Sequence, residues 1–224
     1  MPDAHQTADI IVIGAGIAGA SVAAELAAHA SVILLERESQ PGYHSTGRSA
    51  AVFAPCYGPT PIRDLTRASR AFYESPPEGF TAAPMFGPRP ILMIAREDQM
   101  GALEALTETV SKETEVEVLT GDALQSFQPL LRAGYASAGM HDRQGQDIDV
   151  HALHHGYLRM FKARDRPAVT GAEVTGLTRN GDVWQVETTK GVFEAPIVVN
   201  AAGAWAGEIG ALAGAEDIGL TPKR

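Results

Sequence analysis

The run Gly14-Ala15-Gly16-Ile17-Ala18-Gly19 constrains this chain more than any other feature. It follows the short apolar stretch Asp9-Ile10-Ile11-Val12-Ile13 and opens a segment, Ile17 to Ala30, rich in Ala and poor in helix breakers. A β-branched run of that kind suits a strand buried on both faces of a parallel sheet. The Ala-rich segment reads as a helix packed closely upon it. Gly14 permits a tight turn, Gly16 lets backbone approach a diphosphate, and Gly19 lets helix and strand pack closely. A second strand is expected over Ser31 to Leu35, so that Glu36 ends it where an acid accepts hydrogen bonds from ribose hydroxyls and repels a 2′-phosphate. The expectation is a right-handed βαβ unit whose helix N-terminus offers N–H groups and a positive dipole to a non-phosphorylated adenine dinucleotide.

A formal net charge of -9 argues against a nucleic-acid groove or a polybasic membrane patch, and leaves backbone dipoles to hold an anionic cofactor. Over 224 residues, 45% hydrophobic content is enough to fill a globular core. Cys56 is the only cysteine, which excludes an intrachain disulfide and a thiolate-rich zinc site and reads as a small apolar filler in a reducing compartment. The opening MPDAHQTAD has no basic segment followed by an apolar core, so a cytoplasmic location is expected. Ile10 to Ala30 has the length of a membrane span but contains Glu25 and His29, and no transmembrane segment is expected. His151, His154 and His155 share helical spacing; with Asp147 and Asp149 fitting a capped helix, no metal is expected there.

Residues 39–61, rich in Gly, Ser, Thr and Pro, read as a long functional loop with a helical turn near Arg48 to Val52. A helix is expected from Pro61 to Glu74, followed by a proline- and glycine-dense crossing at 75–90 that marks a domain boundary. Beyond it a strand is expected at Ile91 to Ala95, helices at Asp98 to Glu113 and Gly121 to Phe127, and a strand at Tyr135 to Met140. Asp149 stands as N-cap to a helix from Val150 to Lys162. Strands at Glu173 to Thr178 and Val183 to Thr188 flank the hairpin signal Asn180-Gly181, and the first sheet resumes at Ala195 to Asn200.

The βαβ unit alone does not decide between NAD and FAD. An NAD-dependent dehydrogenase is the reading of Gly14 to Gly19 with Glu36 taken by themselves. The loop Gly42-Tyr43-His44-Ser45-Thr46-Gly47-Arg48-Ser49-Ala50-Ala51 supplies hydroxyls, a fixed cation and small residues where an NAD enzyme usually continues into ordinary βα repeats. Such a loop can contact a second phosphate and lie beside a flavin ring. Ala201-Ala202-Gly203, after the returning strand, is a second small-residue turn that permits cofactor approach.

The strings DIIVIGAGIAGASVAAEL, Glu36-Arg37, QPGYHSTGRSAA, GQDIDVHALHHGYLR and VVNAAGAWAGEIGALAG resemble the D-amino-acid oxidase superfamily of flavoproteins, most of all its D-arginine dehydrogenases, from Asp9 to Arg224. The resemblance implies an α/β chain, α+β overall, with a Rossmann-like FAD-binding domain and an interleaved, incomplete substrate domain. The corresponding division is 1–84 and 149–224 for FAD and 85–148 for substrate. It implies non-covalent FAD, oxidation of a D-amino acid to an imino acid that hydrolyses to a 2-oxo acid and ammonia, and a quinone or dioxygen as electron acceptor. By position, Ala18, Glu36, Arg37, Ser45, Thr46, Gly47, Arg48, Ser49, Ala50, Ala51 and Val174 correspond to FAD contacts. Tyr57 corresponds to a loop tyrosine over the substrate, and Arg224 lies near a carboxylate-binding arginine. Val52 and Ile91 replace the histidine and glutamate of the arginine-specific enzymes, which points to an apolar substrate side chain. Family chains continue past the position of Arg224, so this sequence is expected to be an N-terminal portion. The alternative is a non-catalytic remnant or split-protein half that binds dinucleotide and needs a complementary C-terminal chain.

Overall fold

A computed structural model describes residues 6–164 and 167–222. The first segment contributes β1 (Gln6–Thr7), β2 (Ile10–Ile13), α1 (Ile17–Leu26) and β3 (Val32–Leu35). The middle holds β4 (Val52–Phe53), α2 (Thr60–Glu74), β5 (Phe86–Pro88), β6 (Ile91–Ala95), α3 (Met100–Val110), β7 (Val116–Thr120), α4 (Gly121–Phe127), β8 (Ala138–Asp142) and β9 (Gln146–Ile148). The last comprises α5 (Val150–Lys162), β10 (Val174–Asn180), β11 (Val183–Thr188), β12 (Gly191–Ala195), β13 (Ile197–Asn200) and α6 (Ala206–Leu212). No helix among the described residues is long and apolar enough to cross a membrane.

The chain forms two compact units, one of residues 1–50, Glu78–Ala82 and 150–224, the other of Ala51–Pro77 and Ala83–Asp149. The division differs from the expected boundary at 84/85 because Ala51 to Pro77 groups with the middle segment. β4 pairs with β9, and Arg63 and Arg67 of α2 both grip Glu113, at 2.7 Å each.

In the first unit β2 lies between β13 and β3, parallel to both. Its apolar run serves two cores at once, as strand alternation requires. Ile11 and Ile13, with Ile33 and Leu35 of β3, face a cluster completed by Leu177, Val186, Phe193 and Ile209. Ile10 and Val12, with Val32 and Leu34, face Ala23 and Ala24 of α1 and Phe161 of α5. The three-stranded sheet therefore sits between helices and the second sheet of this unit, in the order β1-β12-β11-β10. α1 ends at Leu26, not Ala30; Asp9 Oδ2 accepts bonds from the Ser31 amide and hydroxyl at 2.7 Å, which pulls the chain into β3. The helical turn expected at Arg48 to Val52 is absent, because Ala51 takes a left-handed φ of 57° and Val52 already pairs in β4.

In the second unit β8 lies between β6 and β7, antiparallel to both. Cys56, Ala95, Leu103, Val110, Ala138 and Met140 make its core. Cys56 is fully buried there, and burial, with Asp142 beside it, pushes its thiol up to about 12.

Candidate functional site

The first unit has a cleft of about 170 Å³ at the C-terminal ends of β2 and β3, which is where open α/β sheets bind ligands. Gly14, at φ 99°, turns the chain out of β2, and a Cβ there would lie 2.5 Å from the Ala201 carbonyl oxygen. Gly19 packs still more tightly, since a Cβ would fall 1.7 Å from the Gly14 carbonyl oxygen. These contacts seat the start of α1 against both strand ends.

Glu36, 9% exposed, reaches back from the end of β3. Its Oε2 accepts the Ala15 N–H at 2.8 Å and its Oε1 the Glu38 N–H at 2.9 Å. A carboxylate has about four acceptor positions, so each oxygen retains one for a ligand hydroxyl. The Thr46 hydroxyl accepts the Ile17 N–H at 2.9 Å and so ties the following loop to the first turn of α1. The Gly47 N–H closes that loop on the Gly42 carbonyl at 2.8 Å.

In the lining of the same cleft the Arg37 guanidinium lies over the Trp205 ring, 4.1 Å from its centroid. His44 contacts the same ring and sits 2.8 Å from Glu38 Oε1. His44, and after it Arg37, hold the Glu38 carboxyl below its ordinary range. Arg37 is thereby braced by stacking and by an ion pair to Glu38 at 3.2 Å.

Of the sequence-derived cofactor candidates, the cleft gathers Gly14, Gly16, Glu36, Arg37, Ser45, Thr46, Val174, Ala202 and Gly203. Ala18, Gly19, Gly47, Arg48, Ser49, Ala50 and Ala51 do not line it. Gly19 is a packing residue, and Arg48 stacks on Tyr43 at 5.3 Å. Trp205, His44 and Glu38 went unassigned in the sequence. So did His154, whose ring is 4% exposed, where its neighbours His151 and His155 face outward with their rings 4.1 Å apart.

The second unit contains an apolar pocket lined by Val52, Phe53, Tyr57, Leu65, Tyr73 and Ile148 among others, and none of its lining residues is charged. The hydroxyls of Thr66 and Ser69 in its lining donate to the carbonyls of Ile62 and Leu65 of their own helix. Val52 and Tyr57 thus meet in one pocket, and Ile91 does not join them. Ile91 packs on the core around Cys56 and against the position a Gly145 side chain would take, because its register opposite Asp142 turns it there. Arg224 lies outside the described residues.

A family model described as FAD dependent oxidoreductase matches residues 9–224. Human mitochondrial dimethylglycine dehydrogenase is 28% identical over 216 residues, which cover 93% of this chain and 25% of that protein. L-2-hydroxyglutarate dehydrogenase of Escherichia coli K12 is 25% identical over 221 residues, 93% of this chain and 50% of that protein. Glycine oxidase from Geobacillus kaustophilus superposes with a TM-score of 0.81 at 22% identity over 93% of this chain and 59% of that one. L-alpha-glycerophosphate oxidase from Mycoplasma pneumoniae, a structure with FAD bound, gives 0.81 at 19% identity over 95% and 58%. The structural likenesses establish the fold. The chain spans between a quarter and a half of the curated relatives named.

Proposed function

The chain belongs to the family of FAD-dependent oxidoreductases, and from that membership we propose that its cleft holds the ADP half of FAD in an enzyme that oxidises a D-amino acid. The observation that carries the reading is the meeting of the Gly14–Gly16 turn, the Glu36 carboxylate and the small residues Ala202 and Gly203 around one cleft. Bound FAD supplies an acceptor for the hydride lost from the substrate Cα, leaving an imino acid that water converts to a 2-oxo acid and ammonia.

In this reading Glu36 accepts the ribose hydroxyls with the lone pairs its backbone bonds leave free. The Gly16 amide and the start of α1 face the diphosphate, together with Ser45 and Thr46. Val174 flanks the adenine, and Arg37 covers the ribose side, held in place by Trp205. Ala18 and the run Gly47 to Ala51, exposed as far as Ala50, serve the rest of the cofactor. For substrate, the proposal is an uncharged side chain. What supports it is the absence of any charged residue from the pocket shared by Val52 and Tyr57; a guanidinium taken from water into such a lining would have no partner. Ile91 has no part in that pocket, and catalysis rests on orientation of the substrate Cα–H more than on an acid or base.

The likeness to dimethylglycine dehydrogenase favours a second reading, an N-methylated amino acid as substrate. Anaerobic addition of D-leucine, D-arginine, L-leucine and dimethylglycine to the flavin-loaded full-length protein separates them. Bleaching by D-leucine ahead of D-arginine is the expected outcome. Bleaching by dimethylglycine alone replaces the first reading with the second, and none with any amine removes both. Oxygen uptake in the same preparation assigns dioxygen, and its absence a quinone, as acceptor.

A further inference from the structure

We infer that His154 is a positioning residue for the phosphates of the dinucleotide, acting through the Ala15–Gly16 peptide; the inference rests on the cleft being the FAD site. His154 projects from α5, is 4% exposed, and places Nε2 2.8 Å from the Ala15 carbonyl oxygen. A carbonyl only accepts, so Nε2 carries the proton. That carbonyl belongs to the same planar unit as the Gly16 N–H, and no described peptide bond is cis. In a planar trans unit the two groups point in opposite directions. Gripping the oxygen on the α5 side therefore aims the Gly16 N–H away from α5. The Gly16 N–H has no acceptor among the described residues, and Gly16 lines the cleft.

The turn needs such a grip. Glycine on either side of Ala15 places few steric limits on the backbone, so the orientation of this peptide is not set by its own sequence. It is set by two side chains from distant elements, Glu36 on the Ala15 N–H and His154 on the Ala15 carbonyl. The same imidazole abuts Gly42, where a Cβ would come within 2.7 Å of the ring. Gly42 in turn accepts the Gly47 N–H that closes the loop carrying Thr46. One buried ring thus braces the glycine turn and the loop that caps α1. Holding a donor in place before the ligand arrives spares the ordering cost at binding.

The test uses the intact chain with His154→Gln, whose side-chain amide still donates, and His154→Phe, which fills the space without a donor. Dissociation constants for FAD, ADP and adenosine are measured for each, with the unfolding temperature of the apo-protein alongside. His154→Phe is expected to weaken FAD and ADP about tenfold and adenosine less than about twofold, with His154→Gln within about threefold of the parent. Should the Phe variant not fold, His154→Asn, too short to reach the carbonyl, takes its place with the same expectations. Equal losses for ADP and adenosine, or equal losses in the donor and non-donor variants, would show general packing and overturn the inference. A parent chain that binds neither FAD nor ADP overturns the cleft reading itself, whereas a binding parent with indistinguishable variants overturns only the role of His154.

Discussion

Replacing Glu36 by Ala removes a carboxylate whose two oxygens accept the N–H groups of Ala15 and Glu38 and whose remaining lone pairs face the cleft. FAD affinity is expected to fall by about 1.5–3 kcal/mol, the usual worth of hydrogen bonds to a charged group. Fluorescence titration of the flavin measures it, and unchanged affinity would mean that the ribose is held elsewhere. A second carboxylate makes a prediction in pH. Arg63, and then Arg67, hold the Glu113 carboxyl down at about 2 against an ordinary 4.5, with the Arg63 side chain only 4% exposed. A pKa depressed by folding stabilises the native state above the unfolded value and loses that contribution as pH falls toward the folded one. Thermal unfolding followed from pH 4.5 down to about 2 should show a loss to which Glu113 contributes. Glu113→Gln should unfold at lower temperature at neutral pH and show a shallower acid slope; an unchanged slope would assign the acid sensitivity to other carboxylates.

At the scale of elements, the seating of α1 is tested at Gly19, with Gly101 of α3 as the uncrowded comparison. Gly19→Ala would press a Cβ into the Gly14 carbonyl oxygen, a backbone atom that cannot move aside without shifting the whole turn. A loss of about 1–3 kcal/mol in stability is expected, as for other overpacked sites, with FAD affinity reduced in the same variant. Gly101→Ala in α3 has nothing within 4 Å and should stabilise by about 0.4–1 kcal/mol. Denaturant titration compares the two; a Gly19→Ala variant as stable as its parent would contradict the close packing described. Elements whose pattern is local were legible in the sequence. β6, α4, α5 and β11 fall where Ile91 to Ala95, Gly121 to Phe127, Val150 to Lys162 and Val183 to Thr188 were expected. β5 and β9 were not, because Phe86–Pro88 and Gln146–Ile148 carry Gly, Pro and Asp and become strands through pairing, β5 with β9 and β9 with both β4 and β5. The site divides along the same line. Gly14, Gly16 and Glu36 form a spacing fingerprint, but Trp205 and His154 reach the cleft region from remote segments, and no spacing rule links them to it. His154 had one sign, a polar ring among the buried Leu153, Gly156 and Phe161 of α5.

For the molecule as a whole, a net charge of -9 sets a repulsive field for an anionic dinucleotide, and local dipoles must overcome it. The rate of FAD association to the apo-protein should therefore rise, by roughly two- to fivefold, as salt increases from about 10 to 150 mM and shortens the reach of that field. Stopped-flow flavin quenching reads it; a rate that falls with salt would mean that Arg37 and Arg48 steer the ligand against the field of the rest. The parallel partners of the first strands carry a different consequence. β1 and β2 pair with β12 and β13, so that Gln6 waits for Phe193 and Ile10 for Ile197. On a ribosome adding about 5–20 residues per second, that wait lasts roughly 10–40 s. Throughout it the nascent β2 has β3 on one side and an unpaired edge of Ile, Ile, Val and Ile on the other, open to any extended chain nearby. Cotranslational folding of this protein is thus limited by contact order, and its early vulnerability is strand capture by a neighbouring copy before its own late strand emerges.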